Sequence, residues 1–442
     1  MIAHHTPSRQ LPRRHFSEDR QAAAGWRCRL HVALTHFTFK SRGKLPSVSL
    51  AKYQLCTAFS KDFRCIVFEK SEIQENLCLQ QSGSAHRLVV MLRVLGIIQQ
   101  LLEQGKHASK RDIYYTDPAI FHDVKMIDQA INDICIHFNC NRGSLNVVSV
   151  SKGYMCAWIL IKFYIQPIPH AHTEFFFSLV MGWLNYNDDG RRIDCMKYSC
   201  TGLPIPVHTN LVQNIRSLAD YILLVEKETV FQRLANDGYC LKNRCIIISG
   251  KGYPDVATRS FLRLLKDKLG LPVFGLVDGD PHGLDILLTY TFGSLSMAYD
   301  AEALVTPSIH WLGILLSDCE VFGVPARCLL PLSARDKQKA TAILKRPYVK
   351  QYVPSWSNQI EMMLQQAVKL EIEAIASQQG PRAYWRIDDR FEEHSKEENE
   401  EIDFKELQSS YSFIKNWIDE INEGVLIPRC ERREMPFVRL EA

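Results

Sequence analysis

Between Arg87 and Gln104 the apolar positions Val90, Val94, Ile97, Ile98, Leu101 and Leu102 recur at intervals of three and four. That is the period of a helix with one buried face. Gly105 follows where a left-handed cap would end it. Ser109, with Asp112 three residues later, predicts the start of a short second helix, and Pro118 ends it early because the residue before a proline is pushed out of the helical region. A third helix is expected over about 120–138, apolar at Val124, Ile127, Ile131, Ile134 and Phe138. The stretch "GSLNVVSVSKG" then alternates as a strand does. Three helices followed by a β element is the order of a winged helix-turn-helix, and it also occurs in folds that never meet DNA.

From about residue 210 the pattern changes. The apolar runs "YILLV" (221–225), "CIIIS" (245–249) and "PVFGLV" (272–277) alternate with helical stretches such as 257–269. Short, β-branched, fully apolar strands between amphipathic helices imply a mainly parallel sheet covered on both faces. The fold class expected is therefore α/β multidomain. Residues 1–84 show only weak periodicity and read as a weakly structured N-terminal extension.

A chain of 442 residues is long for one domain, and 46% apolar with 23% charged residues is the composition of a chain that buries a core. The charge is unevenly spread. Residues 1–50 hold nine Arg and Lys against Glu18 and Asp19, and residues 388–406 hold ten Asp and Glu against Arg390, Lys396 and Lys405. Solvated ends account for both runs as well as an electrostatic partner does. Fourteen scattered cysteines with no secretory segment ahead of them fit reduced thiols inside a cell. The Cys-x4-Cys pairs Cys135/Cys140, Cys195/Cys200 and Cys240/Cys245 lack the turn residues of a zinc ribbon or knuckle. No membrane span is expected: the run 175–184 is too short.

Three constellations carry chemistry. Glu226 directly follows one buried strand and "DGDPHG", 278–283, directly follows another. Reactive groups in open α/β sheets gather beyond the carboxyl ends of the strands, so Glu226, Asp278 and Asp280 are expected to converge although about fifty residues separate them. Clustered carboxylates call for a hard divalent cation such as Mg²⁺; a plain helix cap explains Asp280 but neither of the others. In "SKRDIYYTDPAIF", 109–121, Arg111 and Tyr115 are one turn apart on the same helix face, and Tyr114 is rotated about 100° away, toward packing. A phenol is a weak nucleophile until a cation or base stabilises its phenolate, and Arg111 could do that or bind the phosphate under attack. In "GKGYPD", 250–255, glycines beside Lys251 would let a backbone approach phosphate, although a tight turn explains them too.

Taken in order, "KRDIYYTD", "LVEKETVFQRL", "GKGYPD" and "LVDGDPHGLDIL" resemble the nucleophile motif and the Toprim metal-binding motifs of one family, that of the topoisomerase VI A subunits with their relatives, the meiotic double-strand-break transesterases. "SIHWLG" and "LKRPYV" are similar to the eukaryotic, meiotic branch. The resemblance covers roughly 87–153 and 187–375. It implies a winged-helix, CAP-like DNA-cleavage domain at about 85–205 and a Toprim domain at about 206–385; the acidic tail at 386–442 extends past the resemblance. It also implies Tyr115 as nucleophile, Arg111 as its basic helper, and Glu226, Asp278 and Asp280 as Mg²⁺ ligands. Lys110, Lys152, Lys251 and Tyr253 are the candidate DNA contacts. The activity implied is a 5′-phosphotyrosyl cleavage of each strand that starts meiotic recombination in the nucleus. The partners implied are double-stranded DNA, a second copy of the chain, a topoisomerase VI B-like ATPase and other break-forming proteins, with no membrane. A component of a strand-passing type IIB topoisomerase, a non-catalytic DNA-binding scaffold and a Toprim hydrolase are the rival readings. Against the family pattern the chain carries about thirty extra aromatic-rich residues, at about 154–184, expected to be an atypical insertion or a stretch that transcript sequencing would show spliced out.

Overall fold

The computed structural model describes residues 47–51, 57–68, 74–148, 178–317, 319 and 325–373. The acidic tail, Lys152 and most of the expected insertion lie outside the described residues.

Helix α1 (Ser82–Gln104) is the centre of the first part, with Leu88, Met91, Val94, Leu95 and Ile98 fully buried. Each such side chain removed from water stabilises the fold by about 1.5–3 kcal/mol. By length and composition residues 83–104 could cross a membrane, but here this stripe packs into a protein core against α4. Gly105 caps the helix with φ 62°, as expected. Helix α2 (Lys110–Thr116) follows, then a single turn α3 (Pro118–Phe121), then α4 (Val124–Phe138). The third helix thus begins later than the periodicity suggests. His122 adopts φ 54° and the Asp123 carboxylate accepts from the Lys125 N–H at 3.0 Å, so a new helix starts there. Arg87 ties α1 to α4 through two hydrogen bonds to the buried Asp133, at 2.9 and 3.1 Å. The strand expected after α4 is, among the described residues, only Val147–Val148, paired in parallel with Ala108–Ser109.

The second part is built on a mixed sheet. Its strands are β1 (Leu179–Gly182), β2 (Leu203–Pro204), β3 (Tyr221–Val225), β4 (Cys245–Ser249), β5 (Val273–Leu276) and β6 (Ile309–Gly313), in the order β2-β1-β4-β3-β5-β6. β4, β3, β5 and β6 run parallel; β1 and β2 add an antiparallel edge. All of β4 and β5 is buried, which is why these strands read as unbroken apolar runs. The helices α5 (Glu228–Asn236), α6 (Val256–Leu269), α7 (Pro281–Phe292), α8 (Ala334–Leu344) and α9 (Pro347–Tyr352) follow in chain order. Gly275 lets α7 lie close on the sheet: a Cβ there would meet the Leu287 side chain at 2.4 Å.

Two boundaries need correction. Strand β1 falls inside the stretch expected to be an insertion or a spliced-out segment, yet Val180 and Met181 are fully buried and pair with Ile248 and Ile247. The α/β part therefore starts by about residue 178, ahead of the boundary expected at 206. The extension expected to be weakly structured also contributes. Ser47–Ala51 pairs with Gln74–Cys78 and places Val48, Leu50 and Leu77 in the core beneath α1. The hairpin Thr57–Ser60/Cys65–Phe68 seats Cys65 and Val67 against Ala301 and Val305. Strands of four and five residues are too short for their alternation to stand out.

Candidate active site

Helix α2 presents the expected nucleophile. Ser109 caps it: its Oγ accepts from the Asp112 N–H at 3.2 Å, and the Asp112 carboxylate accepts from the Ser109 N–H at 2.8 Å. Ile113 is fully buried and anchors the helix, and Tyr114 packs against the same core. Tyr115 is 72% exposed and touches Tyr114 edge-on with ring centroids 5.4 Å apart. Arg111, one turn earlier, is also exposed. Tyr114 thus packs and Tyr115 faces out. Lys110 is engaged. Its ammonium donates to Asp128 Oδ1 at 2.7 Å, an oxygen that Arg142 also reaches at 2.9 Å.

The carboxylates sit at the carboxyl ends of β3 and β5. The Glu226 Oε2 accepts from the Asp278 N–H at 2.9 Å, so the Glu226 carboxylate lies against the backbone of Asp278. Burial, reinforced by the negative charge of Asp278, pushes the Glu226 carboxyl up to about 7. Burial also lifts Asp278, to about 6, although the Ile372 N–H and the Lys227 ammonium favour its charged form. Asp280 caps α7, accepting from the N–H groups of His282 at 2.9 Å and Gly283 at 2.7 Å. A Cβ at Gly283 would lie 3.1 Å from Glu226 Oε2 and 2.4 Å from the Asp278 carbonyl oxygen, so only glycine keeps this corner open. The GKGYPD loop adjoins it through the Gly252 N–H, which donates to the Glu226 carbonyl at 2.9 Å. Its Asp255 is a helix cap, and Lys251 pairs with Glu228 at 2.7 Å.

Sequence reasoning missed what closes the site. The segment 368–373 lies along the acidic loop as a strap: Gly279 and Leu370 exchange both backbone hydrogen bonds, at 2.8 and 3.1 Å, and the Ile372 N–H donates to Asp278 Oδ1 at 3.0 Å. Lys227 bridges Asp278 Oδ2 at 3.0 Å and Glu371 at 3.2 Å, and also bonds Glu373. Lys227 stands inside a motif already singled out; the strap carries no local signal.

Among the described residues no three His, Cys, Asp or Glu side chains are arranged to hold an ion as they stand. The donor chemistry suits Mg²⁺ in that all three acids offer hard oxygens; the Lys227 ammonium occupies Asp278 Oδ2 and would have to give way to a cation there.

The solvent-facing Tyr115 lies on the helical part and the buried acids lie at strand ends of the α/β part, and both parts match one family of DNA topoisomerases. Residues 221–382 match the family described as the Toprim domain of the topoisomerase 6 A subunit/Spo11, and residues 86–147 match the family described as Type IIB DNA topoisomerase. Meiotic recombination protein SPO11-1 of Arabidopsis thaliana is 47% identical over 337 residues, 76% of this chain and 86% of that protein. Meiotic recombination protein SPO11 of Homo sapiens is 37% identical over 66% of this chain and 67% of that protein. The DNA topoisomerase 6 A subunit of Arabidopsis thaliana is 37% identical over 67% of this chain and 63% of that protein. The chain belongs to the SPO11/topoisomerase VI A family.

Proposed function

We propose that the chain is a tyrosine transesterase that makes the double-strand breaks of meiotic recombination, acting in the nucleus on chromosomal DNA. The observation that carries this reading is the exposed Tyr115 phenol, one turn from Arg111, on a capped helix anchored by the buried Ile113. In the reaction, the Tyr115 oxygen forms a bond to the phosphorus of the scissile phosphodiester. The bond from phosphorus to the 3′ oxygen breaks, and the phenolic proton ends on the released 3′-hydroxyl. The tyrosine is left esterified to the 5′-phosphate, so no nucleotide is consumed. Arg111 binds the phosphate oxygens through its planar fork as charge builds on them. Mg²⁺, held by Glu226, Asp278 and Asp280, would supply further charge neutralisation at that phosphate. The helical part would serve as the winged-helix cleavage domain and the α/β part as the Toprim domain. Tyr253 is exposed but donates its hydroxyl to Asp285, so its ring is the part DNA would meet. Lys110 and Lys251, held by Asp128 and Glu228, would shape the surface rather than reach out freely.

One tyrosine cuts one strand, so a double-strand break requires two copies of the chain. We read each site as shared, with Tyr115 of one chain serving the acids of the other, and the further partner as a B-like protein that uses ATP. The higher identity to SPO11-1 than to the topoisomerase 6 protein favours breakage over strand passage. Intact Tyr115, Arg111, Glu226, Asp278 and Asp280 argue against a mere scaffold. The test is to mix Tyr115→Phe chains with Glu226→Ala chains. A mixed dimer then has one complete site and is expected to nick one strand. Mixed dimers proven to bind DNA but producing no nicks would sink the shared site.

A further inference from the structure

Asp285 lies five residues beyond Asp280 on α7, which places it about 7.5 Å further along the helix axis from the metal loop. Its carboxylate is only 7% exposed and gathers three groups from three separate elements. Tyr253 of the GKGYPD loop donates its hydroxyl to Oδ2 at 2.9 Å, Lys339 of α8 reaches the same oxygen at 2.5 Å, and Arg346 at the start of α9 reaches Oδ1 at 2.7 Å. The Lys339 ammonium also lies 5.7 Å from the centre of the Tyr253 ring. One carboxylate cannot neutralise two cations, and it cannot accept all their protons: an ammonium has three donors and a guanidinium five. A positive charge with unused donors is left at the surface. The chain around it is basic as well. In 334–350, Arg335, Lys337, Lys345 and Lys350 are exposed, and the one acid, Asp336, is buried and paired with Lys369 at 3.1 Å.

We propose that Lys339 and Arg346, preassembled on Asp285 with Tyr253 donating to the same carboxylate, form a site for a backbone phosphate of duplex DNA that flanks the phosphate under attack. This rests on the cleavage reading for the place of the cut, but not for the binding itself. Asp285 acts as a positioning residue: it fixes two flexible cationic side chains in one geometry before DNA arrives, so that less ordering is lost on binding. A purely structural hub would tie α7, α8 and α9 together and leave DNA affinity alone.

The test is a salt series of binding of the full chain to a short duplex, followed by fluorescence anisotropy. Replacing both Lys339→Met and Arg346→Gln is expected to weaken binding on the order of 10-fold and to reduce the slope of log K against log salt by about 1, the loss of one phosphate contact. A folded double variant with wild-type affinity and slope overturns the proposal. If that variant fails to fold, the single Lys339→Met chain and phosphate-ethylation interference on the wild-type chain decide: interference at a phosphate flanking the cut is expected, and none at any flanking phosphate overturns the site. A wild-type chain that binds with the hub contribution but forms no covalent product would defeat the cleavage reading alone.

Discussion

Tyr115→Phe chains are expected to bind duplex DNA as the wild type does and to form no covalent adduct, a loss on the order of 10⁴-fold or more, as when a nucleophile is removed from an acting group of residues. The substitution deletes one solvent-facing hydroxyl, so unfolding free energy should change by less than about 0.5 kcal/mol. Tyr114→Phe should cleave nearly normally, because Tyr114 packs into the core through its ring. Cleavage assays on the two variants side by side decide the matter. An active Tyr115→Phe chain with a dead Tyr114→Phe chain would overturn the helix-face assignment.

Glu226→Gln is expected to abolish Mg²⁺-dependent cleavage and, without metal, to stabilise the fold at alkaline pH. The Glu226 carboxyl moves from an ordinary 4.5 to about 7 in the fold, and Asp278 from 3.8 to about 6. Between those limits the folded chain keeps protons that the unfolded chain has released. The stability contributed is complete below about pH 4 and is lost as pH rises through about 6 and then about 7. A neutral glutamine removes the share due to Glu226. The variant should therefore exceed the wild type by on the order of 1–2 kcal/mol at pH 8 in EDTA, after allowance for solvent screening, and the gap should close toward pH 5. Mg²⁺ should raise the wild-type melting temperature at pH 8 and leave that of the variant nearly unchanged. Thermal melts across pH, with and without Mg²⁺, provide the check; identical curves for the two chains would remove the metal site from the account.

The elements that are legible in the sequence are those whose causes are local. Helix α2 carries its own cap in Ser109 and Asp112 and its own stop in Pro118, and the apolar runs of β3, β4 and β5 follow from burial on both faces. The same locality puts Glu226 and Asp278 at neighbouring strand ends and separates Tyr115 from Tyr114. What escapes depends on partners far away in the chain. Strand β1 sits in an aromatic-rich stretch without period, and only its pairing with β4 identifies it. The strap at 368–373 reaches Asp278 and Gly279 from about ninety residues away. Asp285, inside a Toprim-like motif, reads as one more helix residue until Tyr253, Lys339 and Arg346 are seen to meet on it. The hairpin turn Asp189-Gly190 does carry a local signal; both residues take positive φ, at 46° and 78°, as a two-residue turn between strands requires.

Lys227 joins the fold to the chemistry. It neutralises Asp278 and ties it to the strap through Glu371 and Glu373, so a cation arriving among these acids meets an ammonium already in contact with one of them. Loss of this lysine would leave Asp278 without its cation, held by the Ile372 N–H, and its charge would be felt by Glu226 beside it.

The most direct measurement is to let the wild-type chain act on duplex DNA with Mg²⁺ and its B-like partner, denature, recover the protein bound to DNA, and map the modified residue by mass spectrometry. A single modified residue is expected, Tyr115, carrying the 5′-phosphate of the cut strand, with a free 3′-hydroxyl on the other end. A link through any other residue, or cleavage that leaves no protein on the 5′ end, would contradict it.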